Sequence, residues 1–278
     1  MTEQNSKLDI GLGLRAPHYS YIRENQPQVS WFEAISENYM GIEGGGAGRP
    51  LYTLEKIREN YPVVMHGVSL SIGSTDEINK SYLLKLRNLY ERIEPSWVSD
   101  HVCWTGVQGE NLHDLLPLPY TIETILHLAD RIKYVQDFMG RRFAFENVSA
   151  YLSFSHSEMT EWEFLTELAQ RADCDLLLDI NNIFVSSVNQ GFEARDFLKG
   201  VPQDRIKQMH LAGHSEENGM LIDTHDAPVK DEVWSLYQEA IRLFPKVPTL
   251  IEWDDKIPEF GRLLEEAQTA KKIWSTIS

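Results

Sequence analysis

Eight short strand-like segments recur along this chain, and most turn from apolar to metal-binding toward their C-terminal ends. They span residues 9–15 (DIGLGLR), 31–38 (WFEAISEN), 62–71 (PVVMHGVSLS), 96–104 (SWVSDHVCW), 142–149 (RFAFENVS), 174–182 (CDLLLDINN), 206–214 (IKQMHLAGH) and 248–254 (PTLIEWD). The end residues are His66, His101, Glu146, Asp179, His210 and Glu252, with Asp223 and His225 in the loop after the seventh segment. Short apolar runs of this kind suit strands buried on both faces. Helical stretches separate them. Residues 76–93 set Leu83, Leu84, Leu86, Leu89, Tyr90 and Ile93 near one face. Residues 121–140 end in Gly140, a helix stop, and residues 160–172 open on Thr160 and Glu163, a capping-box pair. Residues 230–244 and 257–274 supply the last two helices.

Strands alternating with helices give an α/β class with a parallel sheet, and eight repeats favour a closed (β/α)8 barrel of the triose-phosphate-isomerase (TIM) type over an open sheet. In such a barrel the C-terminal ends of all strands meet at one mouth. Residues scattered between positions 66 and 252 then converge on one pocket, and so many imidazoles and carboxylates call for metal, more than one ion. We expect a single barrel domain over residues 1–278, with its core at about residues 9–274. The glycine-rich stretch 41–50 (GIEGGGAGRP) lacks a phosphate-loop pattern and reads as a rim loop.

Charge and composition narrow the partners. A net charge of −16 argues against a nucleic-acid backbone as the main ligand, because phosphate binding rests on clustered Lys and Arg. No apolar run approaches the roughly 20 residues that cross a bilayer, and the polar N-terminus lacks a signal-peptide pattern. The expected location is cytoplasmic, with neither membrane nor nucleic-acid partners. The two cysteines, Cys103 and Cys174, form no C-x-x-C motif and read as buried, inert thiols.

Imidazole and carboxylate together suit zinc, iron and manganese. Glu146, Asp179 and Glu252 sit in apolar surroundings where an acid is costly to bury without a cation or donor. An ion pair with Arg15 or another base explains any one of them. It explains all three poorly, because few Lys or Arg occupy the strand ends. A lone buried His is ordinarily a hydrogen-bonded core residue, but His66, His101 and His210 share one placement. Asp223 and His225 flank Thr224, and in an extended segment their side chains face one side. Asn182 adds a neutral oxygen donor. Glu37, Asn38, Asp100, Asn147, His18, His214 and Arg15 are candidates for supporting the ligands or touching substrate. His113, His127 and His156 read as surface residues, and Trp104, Trp253 and the Tyr39 region as pocket wall.

The blocks GLGLR, FEAISENY, HGVSLSIG, SDHVCW, ENVS, LLLDINNIFVS, QMHLAGH, DTHD and LIEWD resemble, in order, the multinuclear non-haem iron-dependent oxidative enzymes. That family includes the methanobactin biosynthesis iron enzyme, the enzyme excising a cysteine β-carbon in thiaglutamate biosynthesis, and the bufferin-maturing enzymes. The resemblance runs from about Asp9 to Asp254. It implies two or three irons of mixed Fe(II)/Fe(III) valence at the barrel mouth, with O2 as co-substrate. By motif, His66, His101 and Glu146 would hold one iron. Glu146 would bridge to a second held by Asp179, His210 and Glu252. Asn182, Asp223 and His225 would hold a third, with Asn181 as the other candidate for the asparagine. Glu146, Asp179 and His210 would be central to catalysis. The implied activity is oxidative modification of cysteine in a ribosomally made precursor peptide, aided by a separate leader-peptide-binding protein.

Three other readings compete. A metal-dependent sugar isomerase or epimerase shares the barrel but favours carboxylates over so many histidines. A trinuclear-metal endonuclease has a similar ligand set, against which the acidic charge counts. A non-enzymatic metal-binding protein is the third, although a barrel mouth ordinarily marks an active site.

Overall fold

In the computed structural model, residues 8–41 and 48–276 are described. From the N-terminus, β1 (Ile10–Gly13), α1 (Tyr19–Asn25), β2 (Phe32–Ile35), α2 (Gly48–Arg58), β3 (Val63–His66), α3 (Lys80–Ile93) and β4 (Val98–His101) build the first half. A hairpin, β5 (Trp104–Val107) and β6 (Glu110–Leu116), leads to α4 (Ile122–Met139), β7 (Ala144–Glu146), α5 (Glu161–Ala172), β8 (Asp175–Asp179), α6 (Ile180–Gln190) and α7 (Ala194–Gly200). β9 (Ile206–Leu211), a second hairpin of β10 (Ser215–Glu217) and β11 (Met220–Ile222), α8 (Asp231–Leu243), β12 (Thr249–Ile251) and α9 (Phe260–Ser275) complete the chain.

The eight central strands close on themselves in the order β1-β12-β9-β8-β7-β4-β3-β2, and every pair between them is parallel. This is the (β/α)8 barrel expected from the strand–helix alternation. Burial drives it: β1, β3, β4, β7 and β12 are buried at every position, and the helices turn Leu, Ile, Phe and Val onto the outside of the ring. Trp31 and Trp97, which precede β2 and β4, meet edge to face at 5.4 Å and belong to a small core with Val64 and Leu250. Gly11 makes room for them, since a Cβ there would lie 2.4 Å from the Trp31 ring. Trp97 also donates to Gln208 inside the barrel, and the cluster of ionisable strand-end residues gathers at the other end.

Local sequence signals set the helix ends. Thr160 and Glu163 form the capping box that opens α5. Gly140 ends α4 at φ 65°, where a side chain would be strained. Several expectations need correction. The second segment stops pairing at Ile35, and Ser36–Tyr39 form a 3-10 helix. Leu84 is 44% exposed, on the outer face of α3. Residues 48–50 of the supposed rim loop begin α2, and residues 42–47 lie outside the described residues. The third segment stops pairing at His66, leaving residues 67–71 in a loop. The sixth stops at Asp179, and Asn181 and Asn182 sit in the first turn of α6. Among the described residues, no helix is long and apolar enough to cross a membrane.

Candidate metal centre

β3, β4 and β7 are neighbours in the barrel, and their last residues, His66, His101 and Glu146, meet at one point. His66 Nε2 and His101 Nε2 are 3.3 Å apart, and lie 3.3 and 3.4 Å from Glu146 Oε2. Their outer nitrogens are engaged: His101 Nδ1 donates to Gly67 O at 3.1 Å, and His66 Nδ1 is 2.7 Å from Ser99 Oγ. A carbonyl only accepts, so His101 carries its proton on Nδ1 and turns the Nε2 lone pair inward. Burial, with His101 and His210 beside it, holds His66 well below the usual imidazole range, as a neutral donor.

The other oxygen of Glu146 faces a second group. His210 Nδ1, from β9, is 3.4 Å from Glu146 Oε1 and 2.9 Å from Glu252 Oε2, just past β12. Asp179 completes a set of four whose donor atoms lie within 4.8 Å of one another. Burial pushes the Asp179 carboxyl well above the usual carboxylate range against the pull of His225, and Glu146 and Asp223 add to the push. Glu252 goes the other way: burial raises it, but His210 and His225 outweigh burial and hold it well below.

His225 anchors a third group. Its Nε2 is 2.7 Å from Asp223 Oδ1 and 3.8 Å from Asp179 Oδ2. Its Nδ1 is 3.2 Å from Asp254 Oδ2 and 3.4 Å from Glu252 Oε2. Asp223 and His225 therefore face one side, although His225 reaches that position with φ at 45° rather than in extended backbone. The two asparagines differ. Asn181 is spent between His214 Nδ1, at 2.7 Å, and Asp223, to which it donates at 2.8 Å. Asn182 keeps a buried Oδ1 without a hydrogen-bond partner.

The supporting residues divide into those at the ligands and those apart. Asn147 clamps the Asp179 backbone from both sides, donating to its carbonyl at 3.2 Å and accepting from its amide at 2.9 Å. Arg15 bonds Glu252 at 3.3 Å and Asp254 at 2.5 Å, so the ion pair considered for one buried acid does exist. Asp100 accepts from the His101 amide at 2.8 Å, and burial, with Glu37 nearby, pushes its carboxyl well up. Glu37 is occupied by Val68 N at 2.9 Å and Tyr82 OH at 2.7 Å. His18 Nε2 donates to Pro258 O at 2.8 Å, and Asn38 is exposed. Trp253 and Tyr39 pack in the hydrophobic core, and Trp104 lies partly buried against it. His113, on β6, and His156 are exposed. His127 is not a surface residue: it is partly buried and donates to Ser74 O at 2.9 Å. Both cysteines are buried and free, and burial pushes the Cys174 thiol up to about 12.

Two acids at the site went unremarked in the sequence reading. Asp254 groups with His225 and Glu252; it stands two residues after Glu252, the alternation that puts side chains on one face of an extended segment. Glu33, fully buried on β2, lies 3.2 Å from His210 Nε2 and accepts from Gln208 at 2.6 Å. Its signal was an acid between Phe32 and Ala34 in an otherwise apolar strand.

These donors fit metal ions. Glu146 Oε2, Asp179 Oδ2 and Asn182 Oδ1 are buried without a hydrogen-bond partner, and an uncompensated buried charge costs several kcal/mol. A divalent cation satisfies such oxygens, and imidazole with carboxylate is a donor set for iron, zinc or manganese.

Solved structures that this barrel resembles share its fold at low sequence identity. D-psicose 3-epimerase from Clostridium cellulolyticum superposes with a TM-score of 0.61 at 10% identity, over 97% of this chain and 99% of the other. Endonuclease IV from Thermus thermophilus does so at 0.60 and 14%, over 96% and 98%. Sequence relatives are far nearer. A UPF0276 protein of Acaryochloris marina is 52% identical, over 94% of this chain and 92% of the relative. Another, from Caulobacter vibrioides, is 48% identical over 96% and 94%. The profile described as RiPP precursor modification enzyme MbnB/TglH/ChrH matches residues 9–275, nearly the whole barrel, and the chain belongs to that family.

Proposed function

We propose that this protein oxidatively modifies cysteine residues of a ribosomally synthesised precursor peptide, using two or three irons at the barrel mouth and O2 as co-substrate. The observation that carries this reading is the position of Glu146, whose Oε2 faces His66 and His101 while its Oε1 faces His210. His66, His101 and Glu146 would hold one iron. Glu146, Asp179, His210 and Glu252 would hold the second, and Asn182, Asp223 and His225 a third, with Asp254 beside it. When bound, the irons lower the pKa of a substrate thiol and supply redox chemistry that side chains lack.

The chain's own residues do the positioning. Ser99 and the Gly67 carbonyl fix the planes of His66 and His101. Asn147 holds the Asp179 backbone, and Arg15 offsets the charge of Glu252 and Asp254. Glu37, Asn38, Asp100, His18 and His214 stand in supporting or substrate-facing roles. Neither Cys103 nor Cys174 takes part, and the cysteine that reacts belongs to the peptide. A separate protein captures the leader peptide, and the reaction takes place in the cytoplasm.

Elemental analysis and Mössbauer spectroscopy on protein purified without oxygen test this reading. Two or three irons per chain with a coupled mixed-valence signal are expected. Stoichiometric zinc or manganese, with no iron taken up after anaerobic loading, would overturn it and favour isomerase or hydrolase chemistry.

A further inference from the structure

Apart from the metal-ligand cluster, the loop leading from β7 into α5 helps enclose a cavity of about 220 Å³. Its walls include Tyr120, Phe154, Trp162 and Phe192, with Leu118. Ser153, Ser157, Thr160 and Gln190 also line it, and it holds one carboxyl, that of Glu161, the first residue of α5, which is only 9% exposed. Its side-chain partner is the Tyr120 hydroxyl. A smaller void is lined by Asn147, Val148, Tyr120 and Glu161, so Glu161 has one flank to the cavity and the other toward the residue that follows Glu146.

We propose that this cavity binds a basic side chain, lysine or arginine, of the precursor peptide, beside the barrel mouth. The inference rests on the peptide-modifying reading above and adds a specificity element to it. Two arguments carry it. First, aromatic faces attract cations and also cover the long apolar stem of Lys or Arg, and a carboxylate at the end of such a slot pairs with the charged head. Second, the chain carries a net charge of −16, which favours approach of a basic segment.

Glu161 is poised for such a partner. Burial pushes its carboxyl up to about 8 against the pull of the Tyr120 hydroxyl, so with the cavity empty it is mostly protonated at neutral pH. The other charged groups nearby are turned elsewhere. Glu163 on the same helix caps Thr160, Glu158 on the preceding loop accepts from the Ile122 amide, and the neighbouring Val102, Val148, Phe164 and Leu165 carry no charge. An arriving ammonium or guanidinium favours the carboxylate and releases its proton.

The test uses the full-length protein as purified, with Nα-acetyl-lysine N-methylamide as probe and its norleucine counterpart as the uncharged control. Binding is read by tryptophan fluorescence, and proton release by calorimetry in two buffers of different ionisation enthalpy. The lysine probe is expected to bind about ten-fold tighter than norleucine. Its affinity should rise with pH up to about 8, with proton release on binding below that value. Glu161→Gln keeps the shape and should weaken the lysine probe about ten-fold, leave norleucine unchanged and flatten the pH profile. Equal binding of the two probes, no binding of either, or an unchanged lysine affinity in a folded Glu161→Gln would overturn the proposal. Iron content of the same samples separates the two failures: iron without lysine binding sinks only the cavity, and lysine binding without iron sinks only the oxidative chemistry.

Discussion

Glu146 and Glu161 are both buried glutamates, at 1% and 9% exposure, on elements that follow one another in the chain. Glu146 lies among His66, His101, His210, Asp179 and Glu252, and its Oε2 has no hydrogen-bond partner. Glu161 lies among aromatic rings with one hydroxyl for a partner. The difference teaches that burial alone does not define a carboxylate's task. Neighbours that are themselves ionisable suit one pocket to a cation, whereas burial among apolar neighbours raises the other carboxyl toward neutrality.

The strongest way to break the contrast is Glu146→Ala. It removes a donor from both groups at once, and bound iron should fall by more than half with activity lost, as measured by elemental analysis; full iron retention would sink the bridging assignment. Next comes the stability of Glu161→Gln. The folded-state pKa of about 8 lies above the ordinary value of 4.5, so the wild-type protein loses stability as pH rises from about 4.5 to about 8. Above that window Glu161→Gln should be the more stable protein, by roughly 2–5 kcal/mol. Below pH 4.5 the two should coincide in chemical denaturation. Equal stability at pH 9 would show that Glu161 ionises freely. Asp254→Asn sharpens the first pocket: it weakens the partnership with His225 and Arg15 and should reduce affinity for the most loosely held ion about ten-fold, seen by chelator competition. His113→Ala, on the exposed hairpin, should change iron content and melting temperature by less than experimental error, and a large loss of metal would place β6 at the centre.

The barrel was legible because most strands are short apolar runs and half of them, β3, β4, β7 and β8, end on an ionisable residue, a pattern with a period of one β/α unit. Strand ends carrying His66, His101, Glu146, Asp179 and His210 could be named for that reason. Boundaries were not: residues 67–71 continue the strand texture after ladder pairing stops, and Asn181 and Asn182 follow Asp179 with no glycine or proline to mark the change into α6. The two hairpins were missed for the opposite reason: β6 is mostly exposed and has no alternation to read. Glu33 and Gln208 escaped notice since their meaning lies in contacts across the barrel, 175 residues apart. The cavity beside Glu161 was equally invisible, because its aromatic walls come from three separate stretches of chain.

Asp179 has two oxygens with different employers. Oδ1 accepts the Asn182 amide at 2.6 Å and thereby caps α6, while Oδ2 points to His225 and the donor cluster. The first turn of α6 is therefore mechanically tied to whatever occupies the mouth. Amide hydrogen exchange at Asn182 and its neighbours becomes a gauge of occupancy, slow when the pocket is filled and faster when it is stripped, in a protein whose other helices keep their rates.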